Sequence, residues 1–451
     1  MTSERRKGSV TVPRRVRRGF LLLAVSLAGV LLLSCGGGEE EASKTPVSTQ
    51  PAGAETPSTE NVPGVTDTEV LIGANFPVSQ SPASGYAVIA DGMRAYFDYV
   101  NSQGGVYGRK IRFLVGDDHY NPADAVEVIR RLVEQDQVFA VVGGLGDPTQ
   151  LAVIGYLEDK GVPDLFLGGG VVAFTQPAVK TRIAMTTDYE TEIKIMVDYI
   201  EKNYSGKRMG IVYQSDTAGT SSMQMITEAL KDSDVQIVST QSYDWGQFDL
   251  TTQMQRLKND NPDFVDLMAN PGAAASAIKV AREVLSWDVP IITSAVSAVE
   301  LTVDLAGAKN AEGIVSLTTG KMISEEDDPG VQRHIEIMKE FAPNVAPVSM
   351  TEYGMTVAEL FVQALKNAGP NLTRESIVDG AENIRDFCCL ACLAPANLSP
   401  TDHRVSEAMW FERVENGKWV RFGEPVSYES TPGKAVACKG AGEPVYAGEG
   451  G

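Results

Sequence analysis

The chain has 451 residues, 43% of them hydrophobic and 22% charged, with 39 Lys and Arg against 59 Asp and Glu and a formal net charge of −20 at pH 7. So acidic a chain makes a poor nucleic-acid binder, because phosphates are held by Lys and Arg. Only three histidines occur (His119, His334 and His403), which thins the supply of general bases and metal ligands, and the length is enough for two domains.

The N-terminus is basic (Arg5, Arg6, Lys7, Arg14, Arg15, Arg17, Arg18) and runs into an apolar stretch from Gly19 to Leu33. A basic segment, a short apolar run and a small residue at the cut describe a secretory signal. A spanning helix would need about 20 apolar residues. Leu32-Leu33-Ser34-Cys35 resembles the lipobox of bacterial lipoproteins. That resemblance implies cleavage before Cys35, lipidation of its thiol and anchoring on the extracytoplasmic face of the cell membrane. An ordinary secretory signal with a chance cysteine is the alternative. Arg17-Arg18-Gly19-Phe20-Leu21 also looks like a twin-arginine export signal, so the export route stays open. Removing residues 1–35 takes away seven basic side chains and one acidic one, leaving the rest more acidic still. Residues 36–64 (GGGEEEASKTPVSTQPAGAETPSTENVPG) hold too little apolar surface to offset chain entropy and read as a flexible tether.

From Glu69 onward, short apolar runs alternate with helical patterns. Strands are expected at 70–76, 111–117, 138–144, 164–169, 209–214, 235–243, 264–270, 290–296 and 313–319. Helical stripes lie between them at 89–103, 123–136 and 251–260. Alternation of this kind, with strands apolar on both faces, predicts an α/β protein with doubly wound parallel sheets. The C-terminal part differs. In 407–429 two alternating aromatic runs flank Asn416-Gly417, a hairpin signal. No second long apolar run suggests a transmembrane segment.

Residues 65–153 carry, in order, TDTEVLIG, YFDYVNSQGGVYGRKI, DDHYNP and VVGGLGDPT. RMGIVYQSDTAG (208–219) and EYGMTVAELFVQAL (352–365) follow. These blocks resemble the branched-chain amino-acid (leucine/isoleucine/valine) type of ABC-transporter substrate-binding protein, over roughly residues 65 to 430. The resemblance implies a type I periplasmic-binding fold: two α/β lobes joined by three crossovers and closing on a small ligand. The expected division is 65–186 with 316–390 for the first lobe, 187–315 with 391–430 for the second, and 431–451 as a tail. It also implies an importer role, with an amino acid or a small carboxylate or amide delivered to an ABC permease and its ATPase. A sensor of the same fold is the alternative.

Ligands of open α/β sheets sit beyond the carboxyl ends of the strands. The first-lobe loops there supply Ser79, Gln80, Ser81, Gly144, Leu145, Asp147, Gly168 and Gly169. The resemblance implies that such loops hold a carboxylate through hydroxyls and backbone N–H groups. A plainer account of GGLGDPT is an Asp N-cap followed by Pro. The second lobe offers Tyr213, Asp216, Asn270 and Ser294. Here the chain departs from the family: Ala218 stands where a tyrosine is usual, and neither Asn270-Pro271-Gly272 nor Thr293-Ser294-Ala295 contains an acid to meet an ammonium group. A carboxylate or neutral polar ligand is therefore as consistent with these loops as an amino acid. Asp216 reads equally well as a helix cap.

Besides Cys35, the chain has Cys388, Cys389, Cys392 and Cys438. An even count in an exported protein points to two disulfides, with the pairing left open. A zinc site built on Cys389 and Cys392, with His403 and Cys438, is the rival. The sequence contains no G-x-S-x-G elbow, no H-E-x-x-H and no phosphate-binding loop, so neither enzyme chemistry, cofactor nor metal is expected. His119, beside Asp117 and Asp118, reads as part of a solvated turn capped by Asn121-Pro122 rather than as a catalytic base.

Overall fold

The computed structural model describes residues 62–81, 83–406, 408–427, 435–438 and 444–446. The signal segment, Cys35 and nearly all of the expected tether lie outside the described residues. No helix among those described is long and apolar enough to cross a membrane.

Among the described residues, twelve strands build two sheets. The first contains β1 (Glu69–Phe76), β2 (Lys110–Asp117), β3 (Ala140–Val142), β4 (Asp164–Leu167) and β5 (Arg182–Ala184), all parallel, in the order β2-β1-β3-β4-β5. The second contains β6 (Arg208–Gln214), β7 (Gln236–Tyr243), β8 (Phe264–Met268), β9 (Ile291–Thr293), β10 (Val315–Thr318), β11 (Ala408–Glu415) and β12 (Lys418–Ser427). Its order is β12-β11-β10-β9-β8-β6-β7, parallel except for the closing hairpin. Asn416 and Gly417 make that turn with φ of 53° and 77°, the left-handed values a two-residue hairpin needs. Strand β5 has no counterpart among the expected runs, being three residues long and opening on an arginine.

The helices are α1 (Val88–Ser102), α2 (Pro122–Arg130), α3 (Asp147–Asp159), α4 (Tyr189–Tyr204), α5 (Thr217–Ala229) and α6 (Thr251–Asp260). They continue with α7 (Pro271–Lys279), α8 (Glu300–Ala306), α9 (Ala308–Ala311), α10 (Pro329–Phe341), α11 (Ser349–Ala368) and α12 (Arg374–Glu382). Both faces of each sheet are covered. In the first lobe, Ile72, Phe76, Met93, Phe97 and Phe361 form one core, and Leu132, Val153 and Leu157 belong to another. In the second, Leu257, Ile278 and Trp419 share one cluster, and Ile195, Met209, Phe264 and Leu317 another.

The chain returns to the first lobe after β10, because Val315–Thr318 pairs with β9 and β11 of the second sheet. The return segment also runs further than residue 390. Ala396, Leu398 and Val405 pack in the first-lobe core, and His403 donates Nδ1–H to the Arg182 carbonyl at 2.7 Å. The first and third crossovers lie side by side: Ala184 bridges Arg404, and the Thr187 hydroxyl donates to the Ser406 carbonyl at 2.9 Å.

Cys388 pairs with Cys438 and Cys389 with Cys392. All three thiols offered to the zinc alternative are thus in disulfides, Cys389 with Cys392 and Cys438 with Cys388, while His403 is held by Arg182 and, through Nε2, by Glu382 at 3.1 Å. The expected tail is part of this arrangement. Ala435–Cys438 (β13) and Pro444–Tyr446 (β14) form a two-stranded antiparallel ribbon, and the Cys438 N–H donates to the Leu393 carbonyl at 2.7 Å.

Candidate functional site

Strand order reverses between β1 and β3 in the first sheet and between β6 and β8 in the second. Loops that diverge at such a point leave a crevice at the strand ends. In this molecule the two crevices face each other. Between them lie a cavity of about 270 Å³ and an adjoining one of about 100 Å³, which share Tyr86, Tyr120, Asp147, Tyr189, Glu192 and Val296 as walls. This is close to the lower end of the roughly 300–1,000 Å³ usual for ligand pockets, a size for a small molecule.

A buried polar network sets the first-lobe loops. Asn75, at the end of β1, donates from Nδ2 to Asp118 Oδ2 at 2.7 Å and accepts from Gln150 Nε2 at 3.1 Å. Its carbonyl accepts the Leu145 N–H at 3.2 Å, and Asp118 Oδ1 accepts the Tyr120 N–H at 2.8 Å. Three strand ends are thereby held in register, which fixes the direction in which Tyr120 and Leu145 leave them.

Asp147 does not cap α3. Gly146, at φ 115°, is the N-cap, and Asp147 is the first helical residue. A side chain on Gly146 would meet Thr149 and Tyr120, each at 2.7 Å. The Asp147 carboxylate turns away from its own helix. Oδ1 accepts the N–H groups of Gly170 at 3.0 Å and Val171 at 3.4 Å, and Oδ2 accepts the Tyr189 hydroxyl at 2.8 Å. Burial pushes its pKa up to about 6, an effect the Tyr189 and Gly170 donors partly offset.

The second lobe closes the other side. Asp216 caps α5 by accepting the Gly219 N–H at 2.9 Å and also accepts from Gln214. Asn270 caps α7 through Ala273 and meets the Tyr243 hydroxyl with its own N–H at 3.1 Å. Glu192, on α4, is 7% exposed and accepts the Ala295 N–H at 2.8 Å. Burial raises it to about 7, and burial together with the nearby Glu192 raises Asp266 to about 7.

The lobes touch across the cleft. Tyr120 and Trp245 stack with ring centroids 4.1 Å apart at 15°. The Tyr189–Asp147 bond joins α4 to α3, and the Ser349 hydroxyl of α11 donates to Glu300 of α8 at 2.6 Å.

Of the residues singled out in the sequence, Leu145, Asp147, Gly168, Gly169, Asp216, Asn270 and Ser294 line these cavities. Five lie elsewhere. Ser79 donates to Asp117 Oδ2 at 2.6 Å, Ser81 accepts the Ala83 N–H at 3.1 Å, and Gln80, at φ 51°, makes the bend between them. Gly144 sits against Asn75 and Gln150, and Tyr213 packs with the second-lobe cluster. His119 faces Asp124 at 2.9 Å in the turn that Asn121 caps. Sequence reasoning passed over Tyr86, Tyr120, Tyr189, Glu192, Trp245 and Asp266 in the walls. Tyr120 and Trp245 had a usable signal, since each lies within three residues of a strand's carboxyl end. Asp266 was the one acid inside an otherwise apolar strand.

The chain belongs to the periplasmic binding protein family, whose profile matches residues 69–418. An amino acid binding protein of Pseudomonas aeruginosa is 26% identical over 151 residues, an alignment covering 34% of this chain and 40% of that relative. The match thus spans less than half of the relative's length. Among solved structures, a branched-chain amino acid ABC transporter protein from Thermus thermophilus with bound valine superposes with a TM-score of 0.73 at 18% identity, covering 80% of this chain and 97% of that one. A fatty acid ABC transporter substrate-binding protein from Thermomonospora curvata gives 0.72 at 22% identity, covering 81% and 94%. Identities this low speak for the fold, which is the two-lobed type I arrangement expected from the sequence.

Proposed function

We propose that this chain is the solute-binding component of an ABC importer, working outside the cytoplasm and held at the membrane through a lipid on Cys35. It captures a small ligand between its lobes, and the closed form docks on a permease that its ATPase drives. The observation that carries this reading is the cavity where the two strand-order reversals face each other, bridged by the Tyr120–Trp245 stack. Contacts that exist only when the lobes meet, together with contacts from both lobes to one ligand, make closure and binding a single equilibrium. The chain itself carries out no chemistry in this scheme. Its family is one of binding proteins.

The test is a thermal-shift screen of the purified protein against amino acids, carboxylates, amides and amines, followed by small-angle scattering on any hit. A ligand that binds only the folded state raises stability by RT ln(1 + [L]/Kd), and one that closes the lobes also lowers the radius of gyration. Binding with no compaction, or conversion of the bound compound, would refute the scheme.

A further inference from the structure

We propose that the ligand of this cleft is a small organic cation, an ammonium-bearing molecule without a carboxylate of its own. The proposal rests on the solute-capture reading and narrows it.

The first observation concerns charge. Asp147, Glu192, Asp216 and Asp266 stand in the walls of the smaller cavity, and a cation placed among them would favour the ionised forms that burial disfavours in Asp147, Glu192 and Asp266. Lys321 is the sole Lys or Arg in the walls of either cavity among the described residues. Its side chain is 1% exposed and is bound to Asp328 at 2.9 Å, so its charge is already matched. The second concerns the amides. Helix N-termini and glycine-rich turns ordinarily favour an anion. Here Asp147 takes the Gly170 and Val171 N–H groups for itself, so a ligand carboxylate at that point would face a carboxylate and not free donors. The third concerns the aromatic rings. Tyr86, Tyr120, Tyr189 and Trp245 surround the same space, and the ring faces of Tyr and Trp attract cations, quaternary ammonium groups in particular. The fourth is independent of the acidic group. Glu352, in the wall of the larger cavity, is 1% exposed; neither of its carboxyl oxygens has a hydrogen-bond partner, and His334 Nδ1 stands off at 3.9 Å from Oε1. Buried polar groups of this kind are expensive unless something pairs with them. A cation with N–H or polarised C–H donors meets all four features, whereas an anion conflicts with the first two.

The experiment is isothermal titration of the purified protein with five probes of similar size: tetramethylammonium, 1,4-diaminobutane, leucine, isovalerate and isobutyramide. One or both of the cations should bind at least about tenfold more tightly than isovalerate and leucine. The comparison between tetramethylammonium and the diamine tells an aromatic-cage site from one that reads N–H donors. Asp147→Asn should weaken cation binding by about tenfold or more while its thermal melt stays cooperative. Asp216→Asn, which keeps the capping oxygen of α5, serves as a second variant and should weaken cations and spare isobutyramide. Tighter binding of leucine or isovalerate, with compaction on scattering, would overturn the cation proposal and leave solute capture standing. A protein that neither binds nor compacts with any of the five, nor with the wider screen above, would overturn both.

Discussion

Asp147→Asn offers the sharpest test of how the site is built, because it changes charge and almost nothing else. The asparagine keeps the volume and keeps an oxygen for the Gly170 N–H, and the Tyr189 hydroxyl can turn to accept from the new amide. The change is in proton binding. The folded state holds Asp147 at about 6 against the ordinary aspartate value of 3.8. At about 1.4 kcal/mol per pKa unit, a shift of about two units amounts to about 3 kcal/mol. The sign follows from which state binds more protons. With its pKa raised on folding, the native state holds the Asp147 proton through a range where the unfolded chain has lost it. Its contribution is therefore fully present below about pH 4 and is lost as pH rises through about 6. Urea unfolding of the ligand-free protein at a series of pH values measures this directly. The wild type should lose about 2.4 kcal/mol relative to Asp147→Asn between about pH 4 and pH 7, with the other buried acids common to both proteins. Parallel curves, or a divergence of the opposite sign, would refute the account of a buried carboxylate held between two loops.

Three further outcomes are expected. Trp245→Ala removes a stack worth roughly 0.5–1.5 kcal/mol beyond its buried area, so ligand affinity should fall by at least about twofold in titration calorimetry, with a less compact liganded form in scattering. Gly170→Ala places a Cβ 2.4 Å from the Tyr189 ring; the displaced ring should cost about 1–3 kcal/mol in denaturant unfolding. Cys438→Ser opens a bridge between residues separated by 50 positions, and the chain-entropy model assigns that bridge about 4 kcal/mol. The loss should appear in the oxidised protein and vanish when wild type and variant are compared under reducing conditions.

What could be read from the sequence depended on how local the physics was. Strand β1 was legible because VLIGANF is apolar on both faces but for Asn75, and the hairpin because Asn416-Gly417 specifies its own turn. Strand β5 was not legible, since three residues beginning with Arg182 become a strand only through pairing with β4. Asp147 followed by proline looked like a helix cap, yet the positive φ of Gly146 moves the cap back by one residue. Its carboxylate then finds Gly170, which no local pattern could show. Ser79 and Ser81 had the right chemistry for a ligand but are used within their own loop, by Asp117 and the Ala83 N–H. Glu192 became visible as a wall of the cleft only when the first crossover was seen to carry α4 back against it. The division of the lobes was similarly out of reach: β10 looks like any apolar strand, and only its pairing shows on which side of the second crossover it falls.

The interleaving of the two lobes bears on the order in which the molecule can be made. Strand β10 is covered on its outer edge by β11, whose first residue comes 90 positions after the end of β10. Helix α1 of the first lobe rests on α11, which the chain reaches only after completing five strands of the second sheet. A chain emerging N-terminus first therefore presents two unfinished bodies at once: a helix face without its cover and a strand edge open to any partner. Neither lobe can serve as a finished template for the other. Neither core is complete until residues beyond Ala408 have joined it, so the two lobes share their finishing steps.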